Sequence, residues 1–76
     1  MSNINYQEIA KLAGIYINPR HPIMKLKMLG KDNINIIAYD SLANFYESSI
    51  TKALSTYNIE YSIDEARLVI MAAIYG

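Results

Sequence analysis

Ile23-Met24-Lys25-Leu26-Lys27-Met28-Leu29 runs into Gly30-Lys31-Asp32-Asn33 and then into Ile34-Asn35-Ile36-Ile37-Ala38-Tyr39. In the first segment Met24, Leu26 and Met28 alternate with Lys25 and Lys27, and a period of two marks a half-buried strand. Gly30 to Asn33 has the composition of a turn. The third segment is rich in β-branched residues, which favour strands. Together they predict a β-hairpin of about six residues a side. In its second strand Ile34 and Ile36 face one way and Asn35 and Ile37 the other, so cover on both faces is expected near its centre.

Downstream, Asp40 or Ser41 is placed to cap a long amphipathic helix. Leu42, Phe45, Tyr46, Ile50, Ala53, Leu54 and Tyr57 fall at helical spacing, while Asn44, Glu47, Ser48, Thr51, Lys52 and Ser55 occupy the other face. After the connection Asn58 to Tyr61, Ser62-Ile63-Asp64-Glu65 has the Ser-x-x-Glu capping box, with acidic residues where the helix dipole favours them. A helix over Ile63 to Ile74 follows, although Leu68-Val69-Ile70 is also compatible with a buried strand.

Upstream, Asn5 and Glu8 stand in capping-box positions and Ile4 and Ile9 in those of a hydrophobic staple. Ile9, Leu12 and Ala13 form an apolar stripe, and Gly14 supplies a left-handed stop. A short helix over Tyr6 to Ala13 is expected. Pro19 and Pro22 then stiffen an irregular loop that presents Arg20 and His21. The expected fold class is α+β: a short N-terminal helix, a β-hairpin, an amphipathic helix and an apolar C-terminal helix, in one domain over residues 1–76.

Tyr6-Gln7-Glu8-Ile9-Ala10-Lys11-Leu12-Ala13-Gly14-Ile15 resembles the first helix and turn of bacterial helix-turn-helix repressors, which often read E-I-A-x-L-x-G-I. The resemblance covers ten residues and implies DNA binding by a recognition helix that follows directly. At that place this chain has Tyr16-Ile17-Asn18-Pro19-Arg20-His21-Pro22, whose prolines interrupt a helix.

Composition narrows the function. Seven basic and seven acidic residues give no net charge, which argues against affinity built on many phosphate contacts. Lys25 and Lys27 on one hairpin face, with Lys31 at the turn, could still form a small basic ribbon able to enter a DNA groove. There is no cysteine, hence no disulfide, thiolate nucleophile or Cys-ligated zinc. His21 is the only histidine, and no neighbouring residues complete a metal or catalytic set around it. Asp64 and Glu65 diverge by about 100° on a helix and do not form an acid–base pair. Three glycines build no phosphate loop. No enzyme activity and no cofactor are expected.

Met1-Ser2-Asn3 carries no basic signal-peptide region. Leu68-Val69-Ile70-Met71-Ala72-Ala73-Ile74-Tyr75 is uncharged but shorter than the roughly 20 residues a bilayer span needs, so a cytoplasmic protein without membrane association is expected. A helix apolar on every side is normally covered on every side, which suggests a homodimer with Leu68, Met71, Ile74 and Tyr75 at its interface. Seven tyrosines and four methionines are a surplus suited to protein contacts. Ile, Asn, Lys and Tyr fill 32 of 76 positions, a bias of AT-rich genomes that phages and mobile elements often show. The functional expectation is a non-enzymatic binder: a phage or mobile-element encoded inhibitor or modulator of a host protein, such as a defence component. Tyr16, Arg20, His21, Lys25 and Lys27 would form its partner surface. A small dimeric DNA-binding regulator is the alternative.

Overall fold

The computed structural model describes residues 4–29 and 36–75. Helix α1 spans Tyr6–Leu12; a 3-10 turn, Pro22–Met24, leads into α2, Lys25–Leu29; then follow α3, Ile36–Phe45, α4, Glu47–Thr56, and α5, Ile63–Tyr75. Among the described residues there is no strand, which corrects the α+β expectation to an all-helical fold. The expected turn Gly30–Asn33, with Lys31, and the start of the second expected strand at Ile34 and Asn35 lie outside the described residues.

The physical reason for the correction begins at His21. Its backbone is extended and its Nδ1 accepts the Ile23 N–H at 3.1 Å, with Pro22 at the first helical position. Proline there is pre-set for a helical turn and sacrifices no needed donor. The turn then propagates into Lys25–Leu29, whose Lys, Leu and Met residues are good helix formers. Seven residues of alternation had too little β-branching to oppose that start. Further on, Ile36 and Ile37 open α3 rather than closing a strand.

Helix α5 lies at the centre, with α1 and α3 packed on it and α4 touching α1, α3 and α5. The core comprises Ile9, Tyr39, Ile50, Leu54, Val69, Ile70 and Ile74, with small residues Ala10, Ala43, Ala53 and Ala66 between them. The small side chains let helix axes approach closely. The radius of gyration is 11.7 Å, against about 11 Å expected for a folded domain of this length.

The helix ends follow sequence rules. Asn5 Oδ1 accepts from the Gln7 and Glu8 amides at 3.1 and 3.2 Å. Ser62 Oγ accepts from the Glu65 amide at 3.2 Å. Gly14 sits at φ +68°, with its own N–H donating to the Lys11 carbonyl and the Ile15 N–H donating to that of Ala10. This is a Schellman stop. Asn58, at φ +59°, ends α4 in the same way, through its own bond to Ser55 and that of Ile59 to Leu54.

The long amphipathic helix expected from Asp40 onward begins earlier and is interrupted at Tyr46, so α3 and α4 are separate elements. Its inward stripe also differs. Tyr39, Ala43, Ile50, Ala53 and Leu54 are buried, whereas Phe45, about 200° round α3 from the buried Ala43, is exposed.

Candidate functional site

Tyr16, Ile17, Asn18, His21, Ser41, Leu42, Phe45 and Tyr46 line an open groove of about 510 Å³. One wall is the loop between α1 and the 3-10 turn; the other is the C-terminal half of α3. Loop geometry is fixed locally: Asn18 Oδ1 accepts the Arg20 N–H at 2.8 Å, and the Asn18 carbonyl accepts that of His21 at 2.8 Å. An Asx-type turn with proline at its second position needs little further support. The two walls are joined by the Tyr46 hydroxyl, which donates to the Tyr16 carbonyl at 2.8 Å. Phe45 meets Tyr46 edge to face, the ring centroids 4.9 Å apart.

The groove is apolar at its rim. Tyr16 is 70% exposed and Phe45 78%. One turn up α3 from Ser41, Ile37 is 83% exposed. Ile37, Ser41 and Phe45 are spaced i, i+4, i+8 and therefore form one stripe, on the side of α3 away from the buried Tyr39 and Ala43. With its Nδ1 occupied as an acceptor, the neutral His21 ring carries its proton on Nε2. That N–H, the Asn18 side chain and the Ser41 hydroxyl are polar groups among the apolar and aromatic side chains of the lining.

Other tyrosines are structural ties. Tyr6 Oη donates to Glu65 Oε2 at 2.6 Å, linking α1 to α5, and Tyr57 Oη donates to Glu8 Oε2 at 3.2 Å, linking α4 to α1. Its hydrogen bond to the Glu65 carboxylate, with burial, pushes the Tyr6 pKa up to about 12. Burial, followed by the neighbouring Tyr75, raises Tyr39 to about 12 as well. Arg67 grips Asp40 through two parallel bonds, Nε to Oδ1 at 2.7 Å and Nη2 to Oδ2 at 3.0 Å, clamping α3 to α5. That guanidinium holds the Asp40 carboxyl below its usual range.

Of the residues expected to bind a partner, Tyr16 and His21 meet in the groove, and Arg20 is exposed in the same loop. Lys25 and Lys27 are exposed on α2, where two positions apart means about 200° of rotation. They therefore share no face, and the hairpin that was to carry them is replaced by helix. After Gly14, the chain runs irregularly to His21 rather than entering a second helix. Of the expected dimer residues, Leu68 is 40% exposed, Met71 and Tyr75 are half-buried, and Ile74, 1% exposed, belongs to the core of its own chain.

Ile37, Ser41, Leu42, Phe45 and Tyr46 were not singled out for the partner surface from sequence. The signal was present in the angular position of Phe45, which cannot share a stripe with Ala43. Among the described residues no group of three His, Asp or Glu side chains could hold a metal ion, and no helix is long and apolar enough to cross a membrane. No family model matches the chain, and comparison with curated proteins and with solved structures returns no match.

Proposed function

We propose that the protein acts by binding another protein, without catalysis, and that the groove between the Tyr16 loop and α3 receives an apolar side chain of its partner. The observation that carries this reading is the exposure of Tyr16 and Phe45 at the rim of a concave apolar site. Exposed aromatics in such a setting are the usual anchors of protein interfaces, and monomers rarely leave large apolar patches uncovered without use. The loop is pre-ordered by Asn18 and the prolines, so docking costs little conformational entropy. His21 Nε2–H and the Asn18 side chain give the partner's chain a polar group to meet. The AT-rich coding bias fits a phage or mobile-element gene, whose product would occupy the surface of a host protein.

A photo-crosslinking amino acid at position 16, compared with one at position 55 on α4, tests this assignment. Capture of one defined partner from position 16, abolished by Phe45→Asp, is expected. Equal capture from position 55, or capture indifferent to Phe45→Asp, would contradict it.

A further inference from the structure

The loop wall of the groove belongs to a segment of one charge sign, and we infer that the groove receives an acidic segment of another protein. An apolar side chain of that segment enters between Tyr16 and Phe45, and carboxylates beside it meet Arg20, His21 and Lys25. That assignment rests on the Tyr16–Phe45 groove as the binding surface and adds the chemistry of what it receives. The chain is neutral as a whole but not along its length. Between Glu8 and Asp32 it carries Lys11, Arg20, Lys25, Lys27 and Lys31 and no acidic residue, whereas residues 32–76 hold six acidic and two basic ones. Lys11, Arg20, Lys25 and Lys27 are exposed. Among the described residues both ion pairs use Arg67, so no described carboxylate is paired with Arg20, Lys25 or Lys27. The carboxylates of Glu8, Asp40, Asp64 and Glu65 are engaged elsewhere, by Tyr57, Arg67 and Tyr6.

Arg20 directly precedes His21, and Lys25 follows it by about one helical turn. That separation is comparable to the Debye length of roughly 8 Å in physiological salt, so the fields of the two cations add at the loop wall. The polar groups of the lining have the same preference. Asn18 Oδ1 is occupied by the Arg20 N–H, which leaves its amide N–H groups to donate. His21 offers Nε2–H, because Nδ1 is occupied by the Ile23 N–H, and Ser41 adds a hydroxyl. Donors beside cations suit an ionised carboxylate, which only accepts. A short acidic segment also fits better than a nucleic acid. A phosphate chain draws its affinity from many cations in line, but Lys25 and Lys27 stand about 200° apart on α2. The acidic surplus of residues 32–76 further opposes an extended polyanion. One apolar anchor with a few carboxylates needs only the local field, which steers it to the groove.

Selection from a random peptide library on the intact, immobilised protein tests this, followed by titration of the enriched peptides by fluorescence anisotropy. Enriched sequences are expected to pair an apolar or aromatic residue with Asp and Glu nearby. Replacing those acids by Asn and Gln should weaken binding more than about tenfold. Arg20→Glu combined with Lys25→Glu should do the same while leaving the helical circular dichroism unchanged, and added salt should weaken the acidic peptide selectively. Phe45→Asp should abolish binding of both peptide forms. Enriched peptides without acidic residues, indifferent to charge reversal at positions 20 and 25 but lost on Phe45→Asp, overturn the acidic partner and leave the groove reading standing. Acidic peptides indifferent to Phe45→Asp overturn the groove reading and the acidic partner with it. No enrichment over the bare support, or tighter binding of oligo(dT) than of every enriched peptide, also overturns the acidic partner.

Discussion

Helices α5 and α3 are both rich in apolar residues, yet they dispose of them in opposite ways. In α5, Val69, Ile70 and Ile74 are enclosed, and Met71, Ala72, Ala73 and Tyr75 are half-covered. In α3, Tyr39 and Ala43 are enclosed while Ile37 and Phe45 stand in solvent. Position in the bundle, not apolar content, makes the difference. α5 is the central helix and meets α1, α3 and α4; α3 sits at the edge, with α5 and α4 on its inner side. A large share of the exposed hydrophobic surface of this small protein therefore lies on α3, beside Met28 on α2, Leu12 on α1 and Tyr16 in the loop, whereas its longest uncharged run is largely absorbed by the fold.

The largest effect expected from breaking this contrast comes from truncating the two helices. Ile70→Ala removes a fully buried side chain and should lower unfolding free energy by about 2–4 kcal/mol. Ile37→Ala should stay within about 0.5 kcal/mol. Paired urea titrations measure both, and equal costs would erase the distinction between core and edge.

Next comes the alkaline limit of the α1–α5 contact. Tyr6 is raised to about 12, from an ordinary value near 10 in the unfolded chain. A group with a raised folded pKa contributes stability that is full below the unfolded value and disappears as pH rises through the folded one. Unfolding midpoints should thus fall between about pH 10 and 12, and Tyr6→Phe should lessen that slope while leaving the share of Tyr39, which is raised alike. The α3–α5 clamp behaves in the opposite sense. Asp40 is lowered by Arg67, so its contribution is present above the ordinary carboxylate range and is lost as pH falls through the depressed value. Asp40→Asn should remove that acid-side slope.

The smallest effects lie at the helix stops. A Cβ at Gly14 would meet nothing within 4 Å, so Gly14→Ala should cost only its left-handed backbone, about 1–2 kcal/mol. Asn58→Gly, at φ +59°, should be neutral or slightly stabilising, by no more than about 0.5 kcal/mol. Thermal unfolding of the pair checks whether both stops work through backbone conformation alone.

The Gly14 stop and the caps at Asn5 and Ser62 were also the most legible parts of the chain, whereas the stop at Asn58 was read only as a connection. Asn5, Gly14 and Ser62 act through backbone groups two or three residues away, so their effect is written locally, and α1 and α5 begin at the residues expected. The Ile23–Tyr39 hairpin fails because seven alternating residues fit either period, while His21 and Pro22 start a helical turn ahead of them. Phe45 was assigned inward because its spacing from Leu42 looked helical, although its angle to the buried Ala43 excludes it. The Arg67–Asp40 clamp and the Tyr46–Tyr16 tie join residues 27 and 30 positions apart; no local pattern encodes such pairs. Of the groove, only the Tyr16–His21 loop could be seen in advance, because the α3 wall exists only once the helices have packed.

Thirteen isoleucines supply methyl probes on α1, α3, α4 and α5, and their paramagnetic relaxation by a soluble spin label tests the central claim most directly. The Ile37 methyls should broaden strongly while those of Ile9, Ile50, Ile70 and Ile74 remain sharp. Ile70 and Ile74 broadening as fast as Ile37, or Ile37 methyls as protected as theirs, would contradict the account of α3 as the exposed apolar edge.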